Sequence, residues 1–166
     1  MVVRATRRLL GRLTTDSAGE GEASTTLLGD WYATFLPWRP RLVALFVSEQ
    51  TLLPVLVPLA PAVSVLDRFP AHLGDVLAGV GAIDASIEAE VAGSRPARVT
   101  TTSSRSVLGS MNEFAFLADL HRHEAAHLDL LRLSVLLART PCGPLFTRHV
   151  SPDRETITLL AAGHTS

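Results

Sequence analysis

Apolar and polar residues follow two regimes along this chain. The first is a strand regime, up to about residue 60. Val2 and Val3 open a short strand, and Thr6 stands where it would cap a one- or two-turn helix over 7–13. Residues 14–26 are rich in Gly, Ser, Thr and Glu without periodicity, which predicts an exposed flexible loop. Trp31, Tyr32, Thr34, Phe35 and Trp38 suit a pleated, half-buried strand, and Pro37 and Pro40 bracket the turn after it. The unbroken apolar run over 42–47 predicts a central strand covered on both faces. After the polar turn Ser48-Glu49-Gln50, residues 51–57 form the return strand. Pro54 lacks an N–H and so places that strand at an edge or a bulge. The three strands make an antiparallel meander.

Beyond residue 64 the period lengthens to that of helices. Val65, Leu66, Phe69, Leu73, Val76, Leu77 and Val80 mark an amphipathic helix beginning near Ser64 or just after Pro70, and Gly79 and Gly81 end it. Asp84 is positioned to cap a second, short helix with Ile87 and Val91 inward and Glu88 and Glu90 outward. Residues 98–102 are β-branched enough for another strand. Val107, Leu108, Met111, Phe114, Leu117 and Leu120 then trace a helical stripe, and no Gly or Pro interrupts 111–140. One helix of that length would exceed ~40 Å, too long for so small a domain. A break is therefore expected near the histidines at 121–127, with a second helix from about 128 to 139. The tail is expected to add a small strand at 156–160. These elements predict a single α+β domain: a small antiparallel sheet, the meander plus one or two further strands, packed against three to four helices.

Composition narrows the setting. The chain has 166 residues, 47% hydrophobic, enough for one well-buried core. Fifteen basic against 16 acidic residues give a net charge of −1, which excludes a globally cationic coat but permits a local basic patch. Every basic residue is arginine, so no P-loop lysine or lysine Schiff base is available. The single Cys142 forms no internal disulfide. Together with an N-terminus lacking an apolar signal-like core, it predicts a reducing, cytoplasmic setting. Residues 50–66 carry no charge, but Pro54, Pro58 and Pro61 and a length short of ~20 residues argue against a membrane span.

Three constellations carry candidate chemistry. His123-Glu124-Ala125-Ala126-His127 on a continuous helix would put two imidazoles on one face, able to hold zinc, with Glu124 as a general base. That describes a zinc-dependent hydrolase, yet a third ligand is not evident, and a solvated helix end accounts for the same residues. The hydroxyl-rich stretch before Val107 reads as a helix start. Ser104, Arg105, Ser106 and Asn112 would there offer unpaired N–H groups and a guanidinium to an anion, although plain capping by Ser103 or Ser104 explains the pattern equally. Arg4, Arg7, Arg8 and Arg12 precede any acidic residue and suit phosphate contacts.

The string Ser104-Arg105-Ser106-Val107-Leu108-Gly109-Ser110-Met111-Asn112-Glu113-Phe114-Ala115 resembles the signature of an uncharacterised bacterial domain family. Its members are sometimes associated with plasmid-type ORF-3-like proteins, and aspartate is more usual where Glu113 stands. Arg4-Ala5-Thr6, Gly29-Asp30-Trp31-Tyr32-Ala33, Leu45-Phe46-Val47-Ser48-Glu49, Thr51-Leu52-Leu53-Pro54-Val55 and Thr140-Pro141-Cys142-Gly143-Pro144-Leu145 are similar to it as well. The stretch 16–24 looks like an insertion. The resemblance implies one α+β domain and brings no catalytic residue with it. The expected function is a non-enzymatic binding or regulatory module without a cofactor, in which Arg4, Arg7, Arg8, Ser104, Arg105, Ser106 and Asn112 contact a phosphate-bearing partner such as nucleic acid. The alternatives are the zinc hydrolase and an antitoxin-like interaction subunit recruiting a partner through the apolar edge at 51–58.

Overall fold

A computed structural model describes residues 1–163. Its strands are β1 (Val2–Ala5), β2 (Trp31–Leu36), β3 (Val43–Ser48), β4 (Pro54–Pro58) and β5 (Arg98–Thr101). Its helices are α1 (Arg7–Leu10), α2 (Val65–Val80), α3 (Asp84–Gly93), α4 (Arg105–Glu124), α5 (Leu130–Ala138) and α6 (Pro152–Gly163). The strands form one sheet in the order β4-β3-β2-β1-β5. β2, β3 and β4 are the expected antiparallel meander, and Pro54 begins an edge strand. β1 pairs parallel with both β2 and β5, so the sheet is mixed rather than antiparallel throughout. The two parallel partners follow from connectivity, because a long excursion separates β1 from each of them.

Alternation along the strands divides the core. Trp31, Ala33 and Phe35 share one face with Phe46, Val55 and Val57, covered by Phe69, Leu73 and Leu77 of α2 and Leu9 of α1. There the Phe69 ring sits 4.9 Å edge-on from Trp31 and 4.5 Å from Phe46. Tyr32, Leu36, Leu45 and Val47 point the other way, under Val107, Met111 and Phe114 of α4 and Leu133 and Leu137 of α5. α2 starts at Val65 and runs through the buried Pro70. Gly81, at φ +95°, closes it in the left-handed conformation that glycine adopts without penalty.

Several expectations change. Residues 156–160 lie within α6 instead of a strand, and the described residues form six α-helices where three or four are expected. Glu90 is 2% exposed, turned inward to accept hydrogen bonds from the N–H groups of Leu27 and Leu28 at 2.8 and 3.4 Å. α3 begins at Asp84, with Ile83 rather than Asp84 as its cap residue. Thr6 makes no cap hydrogen bond to α1, its hydroxyl lying 3.2 Å from that of Thr34 instead. The stretch 14–26 is irregular and mostly exposed, and it is pinned along β5: Val99 donates to Asp16, and Ala18 donates to Val99.

Candidate functional site

Because β1, β2, β4 and β5 all run in the same direction, their carboxyl ends meet at one edge of the sheet. Four segments leave that edge, over 6–13, 37–42, 59–64 and 102–106. They contain Arg7, Arg8, Arg12, Arg39, Arg41 and Arg105, and neither Asp nor Glu. None of these six arginines has a carboxylate partner among the described residues. The guanidiniums of Arg8 and Arg12 lie over the Phe35 ring, 4.8 and 4.7 Å from its centroid, while Arg39 and Arg41 project from the β2–β3 hairpin. Opposite them, the amino edge has mixed sign, with Asp30, Glu49 and Glu90 alongside a Glu22–Arg98 pair.

The chain leaves β1 and β5, which are neighbours, toward opposite faces. α1 packs Leu9 against the α2 side, whereas α4 lies on the other side. Open sheets commonly receive ligands where connections diverge in this way at the carboxyl ends of parallel strands. α4 starts at this edge. Ser104 caps it, its Oγ accepting from the N–H of Val107 at 3.3 Å. The Ser104 N–H in turn donates to the Tyr32 hydroxyl at 3.0 Å, and Ser103 Oγ lies 3.1 Å from that hydroxyl. Arg105 and Ser106 follow, both exposed.

The residues singled out from the sequence are therefore only partly gathered. Arg4 lies level with Tyr32 on the sheet, and its Nε donates to Asp30 at 2.7 Å, so its charge is matched within the fold. Arg4 Nη1 also reaches the Thr101 carbonyl at 3.5 Å, beside the start of α4. Ser104, Arg105 and Ser106 share that start. Arg7 and Arg8 belong to the same sheet edge, but Arg8 stacks on the opposite face from Arg4. Asn112 is seven residues beyond Arg105, about 10 Å along the helix. It borders a shallow depression with Glu113, Phe116, Leu117, Thr140 and Pro141. Gly109 faces open space instead of packing on the sheet.

The histidine string spans the break between two helices. α4 ends at Glu124, Ala125 is extended, and His127 lies in the connection to α5, so the four-residue helical spacing is not realised. His123 Nδ1 is 2.7 Å from the Asp119 carbonyl, and Glu124 is 3.6 Å from His121. Among the described residues no group of three or more His, Cys, Asp or Glu is placed to hold a metal ion. The apolar edge at 51–57 is buried, and the N–H of Leu56 on β4 donates to Ser134 Oγ of α5 at 2.9 Å. Burial pushes the Cys142 thiol up to about 11, with Glu113 adding to the shift, which keeps it protonated and unreactive near neutrality. No helix among the described residues is long and apolar enough to cross a membrane.

Arg39 and Arg41 are the residues that sequence reasoning passed over. They are visible in the Pro37–Arg41 turn, but their relevance depends on strand directions that only the sheet reveals. Residues 2–155 match the family model described as Domain of unknown function (DUF6933). No curated protein and no solved structure matches the chain.

Proposed function

Since the chain belongs to this family of domains of unknown function, its role has to be read from its own residues, and we propose that it is a binding module that takes nucleic acid on the carboxyl edge of its sheet. One observation carries this reading: six arginines leave that edge on segments without a single carboxylate, and none is neutralised by an ion pair among the described residues. A guanidinium is always charged and presents a planar fork of donors matched to phosphate oxygens. With a net charge of −1, the molecule concentrates positive potential locally and not overall. Arg105, exposed in the first turn of α4, adds a guanidinium at the same edge, on the other face of the sheet from Arg8 and Arg12. Phe35, stacked under Arg8 and Arg12, holds two of the guanidiniums at a fixed height above the sheet.

The test is fluorescence anisotropy with a labelled single-stranded RNA and a labelled DNA duplex across a salt series. Six phosphate contacts on duplex DNA imply about a thousandfold loss of affinity between about 50 and 200 mM salt. Replacing Arg39, Arg41 and Arg105 together by alanine should flatten the salt dependence, whereas Arg154→Ala on α6 should not. Binding that is absent at low salt, or that the triple variant leaves unchanged, overturns the proposal.

A further inference from the structure

The break between α4 and α5 also shapes a groove of about 830 Å³ that the basic edge does not use. Leu128, Leu131 and Leu136 stand along it, 46%, 41% and 45% exposed, an unusual concentration of solvent-facing leucine around a nine-residue helix. Gly79 of α2 forms the far side, and its lack of a side chain lets Val135 approach: a Cβ there would lie 2.7 Å from Val135 Cγ2. The volume is within the range of small-molecule sites, and the wall is mainly aliphatic, as such sites require.

The rim decides the class of guest. Arg132 on α5 and Arg139, the residue that ends it, lie seven residues apart, two helical turns on one stripe, and neither has a carboxylate partner among the described residues. Two carboxylates share the rim, and neither pairs with a guanidinium. Glu124 faces His121 at 3.6 Å, and Asp129 Oδ1 accepts from the N–H of Arg132 at 3.1 Å. His127, the last residue of the histidine string, lies beside them. Arg132 and Arg139 are left without an ion-pair partner among the described residues, and leucine lines the surface between them.

We infer that this groove binds a free, single-chain anionic amphiphile, an alkyl carboxylate, with its chain along α5 between the leucines and its head group against Arg132 or Arg139. α5 is about 13 Å long, so a medium-length chain lies along it without protruding. Each methylene entering the groove is worth roughly fourfold in affinity.

The probe is dodecanoate, titrated below its micelle concentration into the full chain and followed by calorimetry and by amide chemical shifts. Saturable binding near one equivalent is expected, with shifts centred on residues 127–139. Decanoate and octanoate should weaken stepwise, by up to fourfold per methylene. Arg132→Ala with Arg139→Ala should cost tenfold or more, and Leu136→Glu, a substitution at an exposed position, should abolish binding while circular dichroism shows the fold intact. Equal affinity for dodecyltrimethylammonium, binding only above the micelle threshold, or preferential adsorption to anionic phospholipid vesicles would each overturn the inference. Loss of nucleic-acid binding in the Arg39, Arg41 and Arg105 variant leaves this site untouched, so the two proposals fail separately.

Discussion

The Tyr32 hydroxyl accepts a hydrogen bond from the backbone N–H of Ser104, so a residue in the middle of the sheet fixes where α4 begins. The ring of Tyr32 is fully buried, and Ser103 lies within hydrogen-bonding distance of the same oxygen. Tyr32→Phe keeps the packing and removes only that oxygen. A loss of about 1–2 kcal/mol in urea unfolding is expected, the usual cost of leaving a partly buried donor without its partner. Amide exchange over the first turn of α4 should quicken in the same variant. Unchanged stability together with unchanged exchange would show that Ser104 alone sets the helix start.

Glu90 makes stability depend on acidity in an uncommon direction. Burial raises its pKa above the ordinary carboxylate value, and the N–H groups of Leu27 and Leu28 only partly oppose that. The folded state therefore holds the proton more tightly than the unfolded one. Its contribution to stability is greatest below the unfolded pKa and declines as pH rises through the raised folded value. Urea unfolding of the natural chain and of Glu90→Gln, compared from pH 4 upward, should show the difference moving in favour of the glutamine variant with rising pH. A difference that is flat or moves the other way contradicts this assignment. Glu90→Ala removes both acceptors and should cost about 1–3 kcal/mol at any pH in that range.

Glu155 ties the segment before α6 to the body of the protein. It is 3% exposed and lies against the guanidinium of Arg148 and, at 2.6 Å, His149 Nδ1. Both partners are nearly half exposed and regain water when released. Glu155→Gln should therefore cost only about 1 kcal/mol, as in partly exposed pairs. Removing Arg148 and His149 together leaves a buried carboxylate uncompensated and should cost about 3 kcal/mol or more. Thermal unfolding near neutral pH checks the order. Equal losses would mean that the carboxylate reaches solvent once its partners are gone.

The sequence announced structure wherever burial and residue type agreed. The apolar run at 42–47 became a strand buried on both faces, Pro54 marked an edge, and the histidine-rich break fell between α4 and α5. It misled where buried positions are polar. In α6 the inward residues include Glu155, Thr156 and Leu160, so the helical period is carried partly by groups that a hydropathy reading discards, and a strand at 156–160 is expected in its place. A helical pattern places Glu90 outward for the same reason: its partners are backbone amides of a distant loop, which leave no mark in composition. The arginines were visible from the start. Which of them belong together was not, because the shared edge exists only once β1 has joined the meander in parallel.

That placement of β1 also bears on how the molecule is assembled. The strand lies between β2 and β5, and near its start Met1 is joined to Pro96, 95 positions later. During synthesis β1 can dock on β2 early, but its other flank stays open until β5 has emerged and circled back. Such widely separated pairing slows the final closing step and leaves an unpaired backbone ribbon exposed meanwhile. A nascent chain halted before residue 98 should therefore stick to its neighbours, or to a chaperone, far more readily than the completed protein.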